Sequence, residues 1–373
     1  MMMKRKMTFV VTGGGTGGHI YPALAIARGL EKRFSGAEVH YIGSHRGLEK
    51  SIVPREGLPF LAVHSRGLER KVHPKAMLSF GVTALGLLEA LVVLRRLKPQ
   101  ALIGTGGFVA LPVAMAALFL GIPTLIHEQN AFAGITNRIL APRVRKVLLT
   151  FDEARKRLES RQAVLTGLPV RPSIVTATRA EGRQFFSISE DSFVLLVVGG
   201  SRGAQRLNEA LPTLAKAWSG NNKYHIIHVT GQANYDSTRE HYQKTGIDLD
   251  NDGNIKIIGY LDHMELALAA ADLAVGRSGA AFLSELTVRG VPSLLVPYPY
   301  AAENHQEANA RSMEAAGAAQ ILLDKDVDGE TIKKTIQSLC NQPTQLASMA
   351  KAAKALGQPE ALERILDEIE DVL

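Results

Sequence analysis

Cysteine is almost missing from this 373-residue chain: Cys340 stands alone, which excludes an internal disulfide framework and a cysteine-rich metal site. A reducing cytoplasmic location is expected. An uninterrupted apolar run is also missing at the start. Lys4-Arg5-Lys6 followed by Met7-Thr8-Phe9-Val10-Val11 imitates a signal peptide until Gly13-Gly14-Gly15 cut the apolar segment short. The third gap is an acidic residue at the end of the second predicted strand, Glu38–Ser44, which runs into His45-Arg46. An NAD enzyme places a carboxylate there to hold the ribose, so NAD is disfavoured, whereas an NADP-type site using Arg46 stays open.

The chain is long enough for two domains of roughly 150 to 200 residues each. Its net charge of +7 conceals an asymmetry: residues 1–165 carry 24 Lys/Arg against 10 Asp/Glu, and residues 166–373 carry 19 against 26. A basic half suits an anionic membrane surface, nucleic acid or a polyphosphate ligand, and charge alone does not choose among them.

Strand Thr8–Thr12 runs into a turn with five glycines in six residues, Gly13-Gly14-Gly15-Thr16-Gly17-Gly18, and then into His19. With so little side chain, the turn leaves its backbone N–H groups open to a ligand. The pattern also fits a dinucleotide fingerprint, a weak signal on its own. Two further loops follow apolar strands in the same way, Gly104-Thr105-Gly106-Gly107 and Gly199-Gly200-Ser201-Arg202-Gly203.

From residue 8 to about 150, short strands alternate with amphipathic helices, predicting helices at Pro22–Phe34, Leu48–Glu56, Pro112–Leu120 and Thr136–Leu140. A boundary is expected at Leu165–Pro172. The rhythm restarts at Phe193–Val198 and continues through strands near His225–Thr230, Ile255–Ile258, Leu273–Val275, Ser293–Val296 and Ala319–Leu322. The pattern predicts an α/β protein with two doubly wound, Rossmann-like domains, at 1–168 and 169–356, their glycine loops facing across a cleft. A final helix at about 357–373 carries Leu362, Ile365 and Ile369 on one face and is expected to pack back on the first domain.

Residues Ala76–Leu94 hold one charge, Glu89, between cationic flanks including Lys71, Lys75, Arg95 and Arg96. A transmembrane span is weakened by Ser79, Gly81, Thr83, Gly86 and Glu89. A buried crossover helix or an apolar face resting on a membrane fits better.

The ordered set GGGTGGHIYPA, GTGGF, IHEQN with TNR, TGLPVR, GGSRGAQRLN, RSGAAFLSE and ENHQEANAR, spanning residues 13–311, closely resembles the MurG family. These are peripheral-membrane GT-B enzymes that move N-acetylglucosamine (GlcNAc) from UDP-GlcNAc to lipid I, giving lipid II in peptidoglycan synthesis. The resemblance implies donor contacts from Arg171, Ser201, Leu261, Met264, Glu285, Gln306 and Asn309, with Thr16, Gly17 and Asn130. Ser201 would bind the diphosphate, Glu285 the ribose hydroxyls, Arg171, Leu261 and Met264 the uracil region, and Gln306 and Asn309 the sugar. His305 replaces one amide of a paired-glutamine form of that last motif.

Acceptor contacts are expected from Gly15, Gly18, Gly104, Thr105, Gly106 and Gly107. His19 is the leading candidate for the base that takes the proton from the acceptor 4-hydroxyl, with Glu128 and His127 as alternatives. No cofactor and no metal are expected, since helix ends and glycine loops can neutralise the leaving diphosphate. The implied partners are lipid I, an anionic membrane surface and cell-wall synthesis proteins, with no nucleic acid. The implied location is the cytoplasmic face of the inner membrane. A UDP-GlcNAc 2-epimerase of the same fold and an NADP oxidoreductase are the rivals.

Overall fold

The computed structural model describes residues 7–67, 74–160, 162–200, 203–249 and 253–373, with backbone alone for 74–80. The chain divides into two compact units, Met1–Pro169 with Glu360–Leu373, and Val170–Pro359.

The first unit is built on β1 (Thr8–Thr12), β2 (Glu38–Ser44), β3 (Phe60–Val63), β4 (Ala101–Gly104), β5 (Thr124–Glu128), β6 (Lys146–Leu149) and β7 (Ala163–Leu165). They form one parallel sheet in the order β3-β2-β1-β4-β5-β6-β7. The central strands are continuous apolar runs because helices cover both faces of the sheet. Alternate residues therefore feed two cores. Phe9 and Val11 pack with Ile20 and Ile26 on one side; Val10, Leu102 and Ile126 pack with Ala90, Leu94 and Val113 on the other. The strand order reverses between β1 and β4, where Thr12 lies in register with Gly104. Loops leaving a parallel sheet at such a reversal form its binding crevice.

The first helix spans Gly17–Arg33, starting five residues before the predicted Pro22. Thr16 is extended, and its carbonyl accepts from the His19 and Ile20 amides at 3.1 and 3.2 Å, so the glycines form the first turn. First-turn N–H groups need no partner inside the helix, which is why a turn rich in glycine suffices. The helix Ala361–Glu370 belongs to this unit, burying Ile365 and Ile369 in the core with Phe9. Arg33 holds it through Glu363 at 2.7 Å and Asp367 at 2.5 Å, and Lys146 bonds Asp371 at 2.6 Å.

The apolar segment forms a helix, Pro74–Leu97. Ala90 and Leu94 point into the core, while Leu88 and Val92 are 61% and 67% exposed. No helix among the described residues is long and apolar enough to cross a membrane.

The second unit contains β8 (Phe193–Val198), β9 (Tyr224–Val229), β10 (Ile255–Ile258), β11 (Leu273–Gly276), β12 (Ser293–Leu295) and β13 (Ala319–Ile321). This sheet is again fully parallel, in the order β10-β9-β8-β11-β12-β13, and it reverses between β8 and β11.

Candidate functional site

In the first unit two loops interlock at the reversal of strand order. Gly14 donates its amide to Gly106 O at 3.3 Å, Thr105 donates to Thr12 O at 2.8 Å, and Thr105 Oγ1 donates to His19 O at 2.7 Å. Gly107 has φ +82°, and a Cβ there would lie 2.2 Å from Gly14 O. Only glycine allows that approach. Gly104 ends β4 with its backbone buried, whereas Gly15, Thr16 and Gly18 are exposed and Gly17 is half-buried. Among the described residues no bond occupies the Gly17 and Gly18 amides at the start of the helix Gly17–Arg33, an arrangement suited to an anion.

Glu49 was not singled out from the sequence, although it anchors the first glycine loop. It is fully buried, with Oε2 accepting from Gly15 N at 3.0 Å and Oε1 from Ser44 N and Oγ at 3.0 and 2.6 Å. Its signal in the sequence is an acidic residue just beyond the end of β2.

Of the three candidate bases, only His19 keeps a ring nitrogen uncommitted. Its Nδ1 lies 2.9 Å from Gln129 Oε1, and no bond occupies Nε2 among the described residues. His127 is corrected as a base: Nδ1 accepts from Gln129 Nε2 at 3.0 Å and Nε2 donates to Gly167 O at 2.8 Å. Burial, more than its Gly167 bond or the nearby His19, fixes its pKa at about 4. Glu128 is corrected as well. Its oxygens accept from Asn130 N and Gly134 N, both at 3.0 Å, and from Asn137 Nδ2 at 2.8 Å. Glu128 therefore shapes the loop that carries Asn130.

In the second unit, Gly200 and Gly203 turn the loop after β8 with φ +84° and +75°. Ser201 lies outside the described residues. The helix that follows runs Gln205–Trp218.

Glu285 stands in the helix Ala280–Arg289, at the reversal of this sheet. It is half-buried and accepts no hydrogen bond from a described residue. Burial raises its pKa to about 7, Glu265 adds to the rise, and Arg171 opposes it. Arg171 is exposed, 3.8 Å from Glu265 Oε2. Leu261 and Met264 are half-buried, with Met264 opening the short helix Met264–Ala270. These groups gather a carboxyl group and a cation in one region.

Gln306 and Asn309 differ in burial and in the bonds they make. Gln306 Oε1 accepts from Tyr298 N at 3.0 Å, which leaves its NH2 to donate. Asn309 is fully buried and donates to Ser278 O at 3.1 Å, so it holds the loop that the sugar was expected to meet. His305 binds back to Ala302 O at 2.7 Å. The sequence contains Asp-x-Asp triplets, among them Asp324-Lys325-Asp326. Asp324 is engaged by Arg277 Nη1 at 2.6 Å.

Residues 9–149 match the glycosyltransferase family 28 N-terminal domain, and residues 194–365 match its C-terminal domain. The chain is 46% identical over 368 residues to the UDP-N-acetylglucosamine--N-acetylmuramyl-(pentapeptide) pyrophosphoryl-undecaprenol N-acetylglucosamine transferase of Desulforamulus reducens, covering 98% of this chain and 99% of that one. This chain belongs to the MurG family. The crystal structure of Acinetobacter baumannii MurG superposes with a TM-score of 0.80 at 30% identity, covering 98% of this chain and all of that one. The fold is therefore GT-B, as in MurG. A putative UDP-N-acetylglucosamine 2-epimerase from Listeria monocytogenes superposes at TM-score 0.67 with 15% identity, over 98% of this chain and 96% of that one, and shares the fold alone.

Proposed function

We infer that this protein is an inverting glycosyltransferase that moves GlcNAc from UDP-GlcNAc to the 4-hydroxyl of the muramyl sugar of lipid I, giving lipid II and UDP. The observation that carries this is the 46% identity over almost the whole of both chains. The epimerase likeness, at 15%, carries no such weight.

The second unit binds the donor. Glu285, ionised, accepts from the ribose hydroxyls, since a carboxylate offers two acceptor oxygens to a vicinal diol. Arg171, Leu261 and Met264 serve the base, the Gln306 amide donates to the sugar, and the loop Gly199–Gly203 with Ser201 receives the diphosphate. Asn130, Thr16 and Gly17 complete the donor contacts.

The first unit binds the acceptor diphosphate at its exposed glycine-loop amides. His19 Nε2 takes the proton of the attacking hydroxyl as that oxygen bonds to the anomeric carbon, and the bond from that carbon to the diphosphate oxygen breaks. The surface carrying Leu88, Val92, Arg95 and Arg96 rests on the anionic cytoplasmic face of the membrane, where the lipid acceptor is anchored.

Ligand-dependent thermal stabilisation tests the donor assignment, because a ligand that binds only the folded state raises the midpoint. UDP-GlcNAc is expected to raise it and NADPH to leave it unchanged. The reverse result would overturn the reading.

A further inference from the structure

Gln129 bridges two histidines. Its Oε1 lies 2.9 Å from His19 Nδ1, and its Nε2 lies 3.0 Å both from His127 Nδ1 and from His127 O. Both Gln129 and His127 are buried, and His127 Nε2 ends the series on Gly167 O at 2.8 Å.

Each link permits one polarity. The Gly167 carbonyl only accepts, so His127 carries its proton on Nε2 and presents Nδ1 as an acceptor. The His127 carbonyl also only accepts, so the Gln129 NH2 must face both His127 atoms. A flipped amide would set oxygen against both and lose two buried bonds. The Gln129 oxygen is thereby turned to His19, whose Nδ1 must donate. A histidine's proton position is set by the bond its other nitrogen makes, and here that leaves the lone pair of His19 on Nε2. Burial keeps His127 neutral down to a pH of about 4, which preserves the series at neutral pH.

We propose that Gln129 is a positioning residue, which with His127 and the Gly167 carbonyl locks His19 as the Nδ1–H tautomer and aims its Nε2 lone pair outward. The proposal rests on His19 being the base, as inferred above. An unlocked His19 spends part of its time with Nε2 protonated and unable to accept the hydroxyl proton.

The test combines ring 15N NMR of His19 with steady-state kinetics of Gln129→Met and Gln129→Glu. In the wild-type protein the spectrum is expected to show the Nδ1–H form. In Gln129→Met the tautomers mix, and kcat falls about ten-fold while KM for UDP-GlcNAc changes less than about two-fold, a part of the roughly 100- to 10,000-fold that a general base contributes. In Gln129→Glu a carboxylate beside His19 favours the imidazolium, so the acidic limb of the kcat profile moves up by roughly one pH unit. That shift reports that His19 is the titrating base beside this position, and the tautomer itself is read from the 15N spectrum, which a purely structural role for Gln129 would leave mixed in the wild-type protein. If Gln129→Met fails to fold, the wild-type spectrum and the near-isosteric Gln129→Glu profile decide.

An Nε2–H tautomer in the wild-type protein, or wild-type kcat and pH profile in both variants, would overturn the proposal. Unchanged turnover in His19→Ala would instead overturn the base assignment, while the spectrum still reports on Gln129.

Discussion

The carboxylate of Glu49 is fully buried beneath the first glycine loop, with Oε2 3.0 Å from the amide nitrogen of Gly15. The same side chain takes two bonds from Ser44 at the end of β2, so it joins that strand to the loop carrying His19. Bonds to a charged group contribute about 1.5–3 kcal/mol each, and removing the acceptor leaves buried donors unmatched. Glu49→Ala is expected to lower stability by about 3 kcal/mol or more, read as a reduced urea midpoint with an unchanged slope.

The proposed ribose contact of Glu285 makes donor binding depend on pH. Its carboxyl titrates at about 7, raised chiefly by burial, so the ionised form that accepts from ribose is gained as pH rises from 6 to 8. UDP-GlcNAc affinity, measured by calorimetry, is expected to strengthen across that window in the wild-type protein and to lose this dependence in Glu285→Gln. The stability effect has the opposite direction. Between the model-peptide value near 4.5 and about 7 the folded protein holds a proton that the unfolded chain has released, so stability falls with rising pH there and the deficit persists above 7. Glu285→Gln should therefore bind donor more weakly yet melt higher than wild type at pH 8.

Leu88 and Val92 occupy one exposed face of the helix Pro74–Leu97, one turn apart and followed by the exposed Arg95 and Arg96. The double variant Leu88→Asp, Val92→Asp is expected to reduce co-sedimentation with anionic vesicles several-fold and leave UDP-GlcNAc affinity intact. Raising the salt concentration should weaken the wild-type association, because surface charge is screened. Equal, salt-insensitive association of both proteins would dismiss this face as the docking surface.

The central strands were legible because a parallel sheet buries them on both faces, so Phe193–Val198 and Ala101–Gly104 read as plain apolar runs. The edge strands Phe60–Val63 and Ala163–Leu165 were not, being short and mostly half-buried. The helix Arg179–Phe186 was overlooked although Thr178 and Glu181 form a capping box, a signal carried entirely by local sequence. At the site, glycine loops and His19 stood out by composition. Gln129 and Glu49 act through partners far away in sequence, His19 and Gly15, and spacing carries no trace of such pairings. Asn309 misled for the complementary reason: an amide in a polar motif reads alike whether it faces a ligand or, as here, the Ser278 carbonyl inside the fold.

The most direct test of the proposed activity is transfer of radiolabel from UDP-[14C]GlcNAc to lipid I by the purified protein in detergent micelles, with the products separated by chromatography. The expected result is labelled lipid-linked disaccharide in equal amount to UDP released, abolished or strongly reduced in His19→Ala. Release of UDP with free labelled N-acetylmannosamine and no labelled lipid would contradict it.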